Sequence, residues 1–311
     1  MTDNAKNRSR CGLTFFESWF MSYRIKFVWM FFLLLFCGHV WSCTLENGIQ
    51  FYKAKQYDKA FACFQQPDIQ KNDKVQNTLG IMYEKGLGVE KDESKAVGWF
   101  LKSAHAGNVK AQYNLGMCYE KGRGISQNYA TAMQWYLKGA EKGDAWSEVN
   151  IGYMFEHGLG VKKDYQEALK WYKRAAFKDN PAAISNIGNL YWTGKGVRKN
   201  TNRAIQYYIM AAERNHPRAQ YFLAEAYLDG KGISKDTAKA VELYKKAAEN
   251  GEPLAMDKLS HIYFAGLYGQ ERDKVQGQKW LDEAKRVRKE KGIMDPEKMT
   301  WGDILKARME Q

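Results

Sequence analysis

Apolar residues along most of this chain recur at helical spacing, and the clearest stretch is 111–143. There Ala111, Leu115, Gly116 and Tyr119 stand at i, i+4, i+5 and i+8, one apolar stripe with polar residues between. Gly122 and Gly124 follow, the first suited to a left-handed C-terminal cap and the second to the turn of a loop. Further on, second stripes open behind capping residues: Asp164 stands three before Glu167 as a capping box, and Asp236 precedes Ala240, Leu243, Tyr244, Ala247 and Ala248. Gly143 and Gly251 end such stripes. The pattern predicts pairs of helices, A and B, joined by a glycine loop.

The pair recurs every 36 residues: Gly80, Gly116, Gly152 and Gly188 keep that interval, as do Tyr83, Tyr119, Phe155, Tyr191, Tyr227 and Tyr263. A fixed period of this size means stacked supersecondary units and not one closed globule. A glycine inside a helix costs roughly 1 kcal/mol relative to alanine, so the helix A glycines require a packing reason. The expected one is an aromatic of helix B, such as Trp99, Trp135 or Trp171, lying against the helix A backbone. Six units fill 73–285. A shorter helical pair, Thr44 to Gln66, has no glycine loop, so 43–72 is expected to cap one end. At the other end, 286–311 forms a capping segment: a charged helix stops at Gly292, and Asp295-Pro296 opens a last helix with Met299, Ile304, Leu305 and Met309 to cover the sixth unit.

The motif A-x-x-x-L-G-x-x-Y-x-x-G-x-G-[VI] followed by A-x-x-W-[YF]-x-x-A-A/G resembles the Sel-one-like repeat (SLR) family, longer-looped relatives of tetratricopeptide repeats. The match runs from Asp73 to Lys285 and fades in the last two units, where Ala224 and Ser260 replace the helix A glycine and Tyr268 the second loop glycine. The resemblance implies an all-α fold, a right-handed α-solenoid with a concave face lined by A helices, and a role in assembling other proteins.

The N-terminal stretch 1–42 reads as a leader. Ser22 to Lys26 gives a short basic region, Phe27 to Gly38 an apolar core, and Val40 and Ser42 small-residue cleavage positions, with Met21 as the expected start of translation. The apolar stretch is shorter than the roughly 20 residues of a membrane span. Export follows, to the periplasm first, with a retained anchor or secretion as alternatives. Val40-Trp41-Ser42-Cys43 looks like a bacterial lipoprotein box in which Cys43 would be acylated, although Trp41 departs from it. A Cys43–Cys63 bridge across the first helical pair stays open, whereas Cys118 reads as a small buried residue.

The formal charge is +13, and losing 1–42 removes five basic and two acidic groups to leave about +10. This favours a protein partner of acidic character or an anionic membrane surface. Nucleic acid is disfavoured, since the lysines spread over outer helix faces. No catalytic, cofactor or metal site is expected. Gly194-Lys195-Gly196 and Gly230-Lys231-Gly232 are inter-helix turns without P-loop spacing, and His105, His157, His216 and His261 lie in four different units. Glu84, Glu120 and Glu156 repeat along the A helices and read as a solvated rim. What remains is the inner face. Tyr113, Trp146, Tyr153, Trp192 and Tyr221 are large aromatics where the repeat does not dictate them, beside Lys110, Met117, Glu156, Asn189 and Glu225, and aromatics of this kind make binding hot spots. The expected function is a non-enzymatic protein binder. From the resemblance, the alternatives are a periplasmic immunity protein neutralising a phospholipase-type effector of type VI secretion, and a cell-wall or β-lactam hydrolase.

Overall fold

The computed structural model describes residues 43–292. They form fourteen α-helices and one 3-10 turn, Ile69–Lys71, with no strand among them, and they divide into two compact units at Ile69/Gln70. The leader and the expected last helix from Asp295 lie outside the described residues.

The first unit holds α1 (Leu45–Lys53) and α2 (Tyr57–Phe64). Thr44 caps α1 by accepting the Asn47 N–H. Phe64 lies on the backbone of α1 at Gly48, where an added Cβ would stand 2.7 Å from its ring. Cys43 and Cys63 are free thiols. Burial, and then a hydrogen bond with the Cys43 thiol, push the Cys63 thiol up to about 11.

The second unit is an α-solenoid of six helix pairs. The A helices are α3 (Asp73–Lys85), α5 (Val109–Lys121), α7 (Ala145–His157), α9 (Pro181–Thr193), α11 (Pro217–Asp229) and α13 (Pro253–Ala265). The B helices are α4 (Glu93–His105), α6 (Tyr129–Glu141), α8 (Tyr165–Phe177), α10 (Thr201–Glu213), α12 (Thr237–Glu249) and α14 (Lys274–Lys291). All but α14, which runs to 18 residues, are 13 residues long, a regularity that comes from caps set at a near-constant interval. Asp92, Asn128, Asp164, Asn200, Asp236 and Asp273 each accept a backbone N–H from the first turn of a B helix. Every A helix ends on a left-handed glycine, Gly122 at φ 69° being representative. The B helices are followed by a left-handed residue that is glycine at 107, 143, 251 and 292 but Asp179 or Asn215 after the third and fourth, two types that tolerate that conformation.

Each helix packs on its neighbours in chain order. The helix A glycines do admit an aromatic of helix B, but it is the residue after the expected tryptophan. An added Cβ at Gly80, Gly116, Gly152 or Gly188 would stand 2.5 to 2.8 Å from Phe100, Tyr136, Tyr172 or Tyr208. The tryptophans instead sit one position around helix B, beneath a cation: Trp99 under Lys102 at 4.3 Å, Trp135 under Lys138 at 4.0 Å, Trp171 under Arg174 at 4.3 Å. A flat ring with at most one polar atom fills the closed contact, and the larger indole takes the place where a charge can lie over it.

The tyrosine hydroxyls then claim carboxylates that the sequence assigns to a solvated rim, and that expectation is corrected. Tyr136 donates to Glu120 at 2.7 Å and Tyr172 to Glu156 at 2.8 Å, and Glu120 is only 6% exposed. Glu84, whose facing aromatic is the hydroxyl-free Phe100, pairs with Arg123 instead. In the fourth and fifth repeats the acceptor moves back one helical turn: Tyr208 donates to Asn189 and Tyr244 to Glu225. The vacated positions hold Trp192 and Leu228. A buried hydroxyl needs an acceptor, and residues three apart on a helix can serve the same point.

Between repeats, Gln112 and Gln220 reach back to the carbonyls of Ala104 and Ala212 near the end of the preceding B helix. Glu148 occupies the same row fully buried and pairs with Arg174 at 3.0 Å and Lys178 at 2.9 Å. Across the outer loops, Lys142 donates to the Gly107 carbonyl and Lys178 to that of Gly143.

Candidate functional groove

Helix A side chains that do not meet helix B form the free face of the array, and on it the repeats cease to be equivalent. Residues 114, 150 and 186 are asparagines at the 36-residue interval. Asn114 bonds back to Asn77 at 3.0 Å, and the amide of Asn150 points to Met117 Sδ at 3.9 Å. The next residue in this row is Phe222, which stacks on Tyr208 with centroids 5.4 Å apart. The polar tie between A helices is replaced at this position by an aromatic contact with the preceding B helix, and Trp192 stands beside it, tilted over Tyr208 at 6.2 Å.

A groove of about 650 Å³ opens there across α7, α9, α11 and the start of α13, with Tyr153, Trp192, Tyr221, Phe222, Arg218 and Leu254 among its walls. Three of the five aromatics singled out from the sequence, Tyr153, Trp192 and Tyr221, meet in it. Trp146, 49% exposed, lies outside it about two turns before Tyr153 on α7. Tyr113 lies apart, its ring tilted over Tyr136 at 6.1 Å and packed against the core. Phe222, Arg218 and Leu254 were missed. The break in the asparagine row at Phe222 was the available signal.

The groove is lined by two basic side chains, Lys195 and Arg218, and one carboxylate, Glu156. Glu156 is occupied by the Tyr172 hydroxyl, and Glu225 by that of Tyr244 and by Lys258 at 3.0 Å. Burial, and then the Glu225 carboxylate, push the Tyr221 phenol up to about 12. Arg218 is exposed, its guanidinium 5.8 Å from the Phe222 centroid. Beyond Trp192 a second hollow is lined by Lys199, Thr201, Asn202, Lys231 and Gly232. Among the described residues no group of histidine, cysteine and carboxylate gathers as a metal site, and no helix is long and apolar enough to cross a membrane. Cys118 is 2% exposed, and burial first, then Glu84, push its thiol up to about 12, which leaves it unreactive. The groove thus offers aromatic surface, amide donors and positive charge, the means of recognition.

Fold and groove together define a helical-repeat scaffold of the tetratricopeptide-like kind, whose A helices present one free face. The chain belongs to the Sel1 repeat family, whose model matches residues 74–108, 109–144, 147–178, 181–216, 217–252 and 253–286. Proteins of this family are built for protein interaction. Among solved structures the chain is similar to a Sel1 repeat protein from Oxalobacter formigenes, at 46% identity over 77% of this chain and 96% of that one, TM-score 0.68. It is also similar to c5321, described as a protective antigen of uropathogenic Escherichia coli with an SLR fold, at 28% identity, 78% and 53% coverage, TM-score 0.57. Immunity protein Pa5087 from Pseudomonas aeruginosa shares the fold at 20% identity, 71% and 83% coverage, TM-score 0.54. No curated protein matches the chain.

Proposed function

We propose that this Sel1 repeat protein is an exported, non-enzymatic binder that holds a partner protein, acidic in character, in the groove between Tyr153 and Leu254. One observation carries the reading: aromatics that the repeat does not require converge from three successive A helices on one groove. Large aromatic surfaces in a pocket supply most of the energy of a protein contact, and truncating a true hot spot costs about 2 kcal/mol or more. Export rests on the Met21 to Ser42 pattern, and the protein is expected in the periplasm, free or held by its leader or an acylated Cys43. The test is capture of partners from a native envelope fraction by the wild-type chain and by Trp192→Ala/Tyr221→Ala, with Trp146→Ala as the variant outside the groove. A partner retained by Trp146→Ala and lost by the groove variant supports the reading. A partner retained by both while circular dichroism shows an intact fold sinks it.

A second reading is neutralisation of a phospholipase-type effector. Its support is a fold shared with immunity proteins, together with the basic charge. Its test is protection: cells making such an effector should survive with the wild-type chain and die with the groove variant.

A further inference from the structure

We infer that the groove takes an extended acidic segment of its partner, one carrying an aromatic side chain next to a carboxylate, and that Arg218 reads the charge. The inference rests on the groove reading above and adds the chemistry of the occupant.

The first argument is an inventory of charge. Arg123, Arg174, Arg214, Arg286 and Arg288 each meet a carboxylate of this chain. Arg218 makes no hydrogen bond or ion pair among the described residues; its guanidinium lies over the Phe222 ring, and its charge acts on His216, Tyr208 and Tyr221, none of them an acid that could pair with it. Glu156, the carboxylate that lines the groove, is turned to the Tyr172 hydroxyl, and Glu225 beside it is paired with Lys258, so neither meets Arg218. A guanidinium held over an aromatic face, with its planar fork of donors unspent, suits a carboxylate that approaches edge-on.

The second argument is the path. Trp192 separates the groove from the hollow lined by Lys199, so a chain passing over it runs from Arg218 on one side to a basic loop edge on the other. In that loop Arg198 and Lys199 are exposed and, like Arg218, make no ion pair among the described residues. Along the way Asn189 gives its side-chain oxygen to Tyr208 and keeps its amide donors for an incoming carbonyl. An extended strand has such a carbonyl at every residue, and about ten residues at roughly 3.3 Å each cross three A helices spaced about 10 Å apart. Trp192, Tyr221 and Phe222 line the same groove and offer ring faces to an aromatic side chain.

The test selects displayed random peptides of about ten residues on the wild-type chain, with counter-selection on Trp192→Ala/Tyr221→Ala. Selected peptides are then measured by fluorescence anisotropy against wild type and Arg218→Glu, both checked for fold by circular dichroism. The expected result is enrichment of Asp or Glu beside Trp, Tyr or Phe, binding about tenfold weaker or worse for Arg218→Glu, and recovery on that variant when the peptide's acid becomes lysine. Groove-dependent peptides of neutral or basic character overturn the inference and leave the groove reading standing. Peptides that bind Trp192→Ala/Tyr221→Ala as tightly as wild type overturn both. Failure to select any peptide overturns the inference, and Arg218-dependent binding to phosphatidylglycerol vesicles in its place assigns the charge to a membrane.

Discussion

Gly98 and Gly116 both lie inside helices, and the same change to alanine is expected to move stability in opposite directions. Nothing stands within 4 Å of a Cβ added at Gly98, so Gly98→Ala removes backbone entropy from the unfolded chain and stabilises by about 0.5 to 1 kcal/mol. A Cβ at Gly116 would stand 2.5 Å from Tyr136, a ring held by burial and by its bond to Glu120, so Gly116→Ala destabilises by about 1 to 3 kcal/mol. Urea unfolding of the two variants decides it, and a gain for both would remove the close-contact account. The need for a small residue at Gly116 was legible in the sequence. Which ring fills the space was not, because Trp135 and Tyr136 are adjacent and share the same period. Only the rotation of helix B against helix A chooses between them.

At the level of the helix, the caps carry most of what the sequence announces, and one of them is a titratable exception. The A helices begin at Asn72, Asn108, Asp144, Asn180, His216 and Glu252. His216 Nδ1 accepts the Ala219 N–H at 3.2 Å, which it can do only while that nitrogen is unprotonated. Burial, and then the Arg218 charge, lower its pKa from 6.5 to about 4. The unfolded chain therefore binds more protons between those values. The stabilisation is full above about pH 6.5 and falls as the pH drops toward 4, by about 3 kcal/mol in all. His216→Asn, which keeps a cap without a titration, should flatten that part of the profile. An equal slope in the variant would assign the acid loss to other groups. The glutamate row shows the limit of reading helices singly. Glu120 is polar and periodic like a rim residue, and its burial comes from a tyrosine hydroxyl of the neighbouring helix.

Across the second unit as a whole, each helix packs mainly on its neighbours in sequence, with single side-chain ties between successive A helices such as Asn114 to Asn77. Stability is then a sum of repeats and of the seams between them. Gly116→Ala, placed in the second repeat, should raise amide hydrogen exchange in α3 to α8 well before α11 to α14. A uniform rise over all twelve helices would show a single cooperative block and refute the nearest-neighbour picture. The groove belongs to this scale too, since Tyr153, Trp192 and Tyr221 come from three repeats and Leu254 from a fourth.

The sequence by itself determined the helices, their ends and their number in the array, because apolar period, capping side chains and left-handed glycines act within one or two turns of chain. It also marked the aromatics of the A helices as surplus to the repeat. The tertiary structure alone decided that Tyr153, Trp192 and Tyr221 converge while Tyr113 packs inward. It decided, too, that Glu120 and Glu156 serve tyrosines and that Arg218 is left without an acid. Those outcomes depend on how helices from different repeats are rotated and spaced, and on which hydroxyl reaches which carboxylate first, distances that a linear period does not contain.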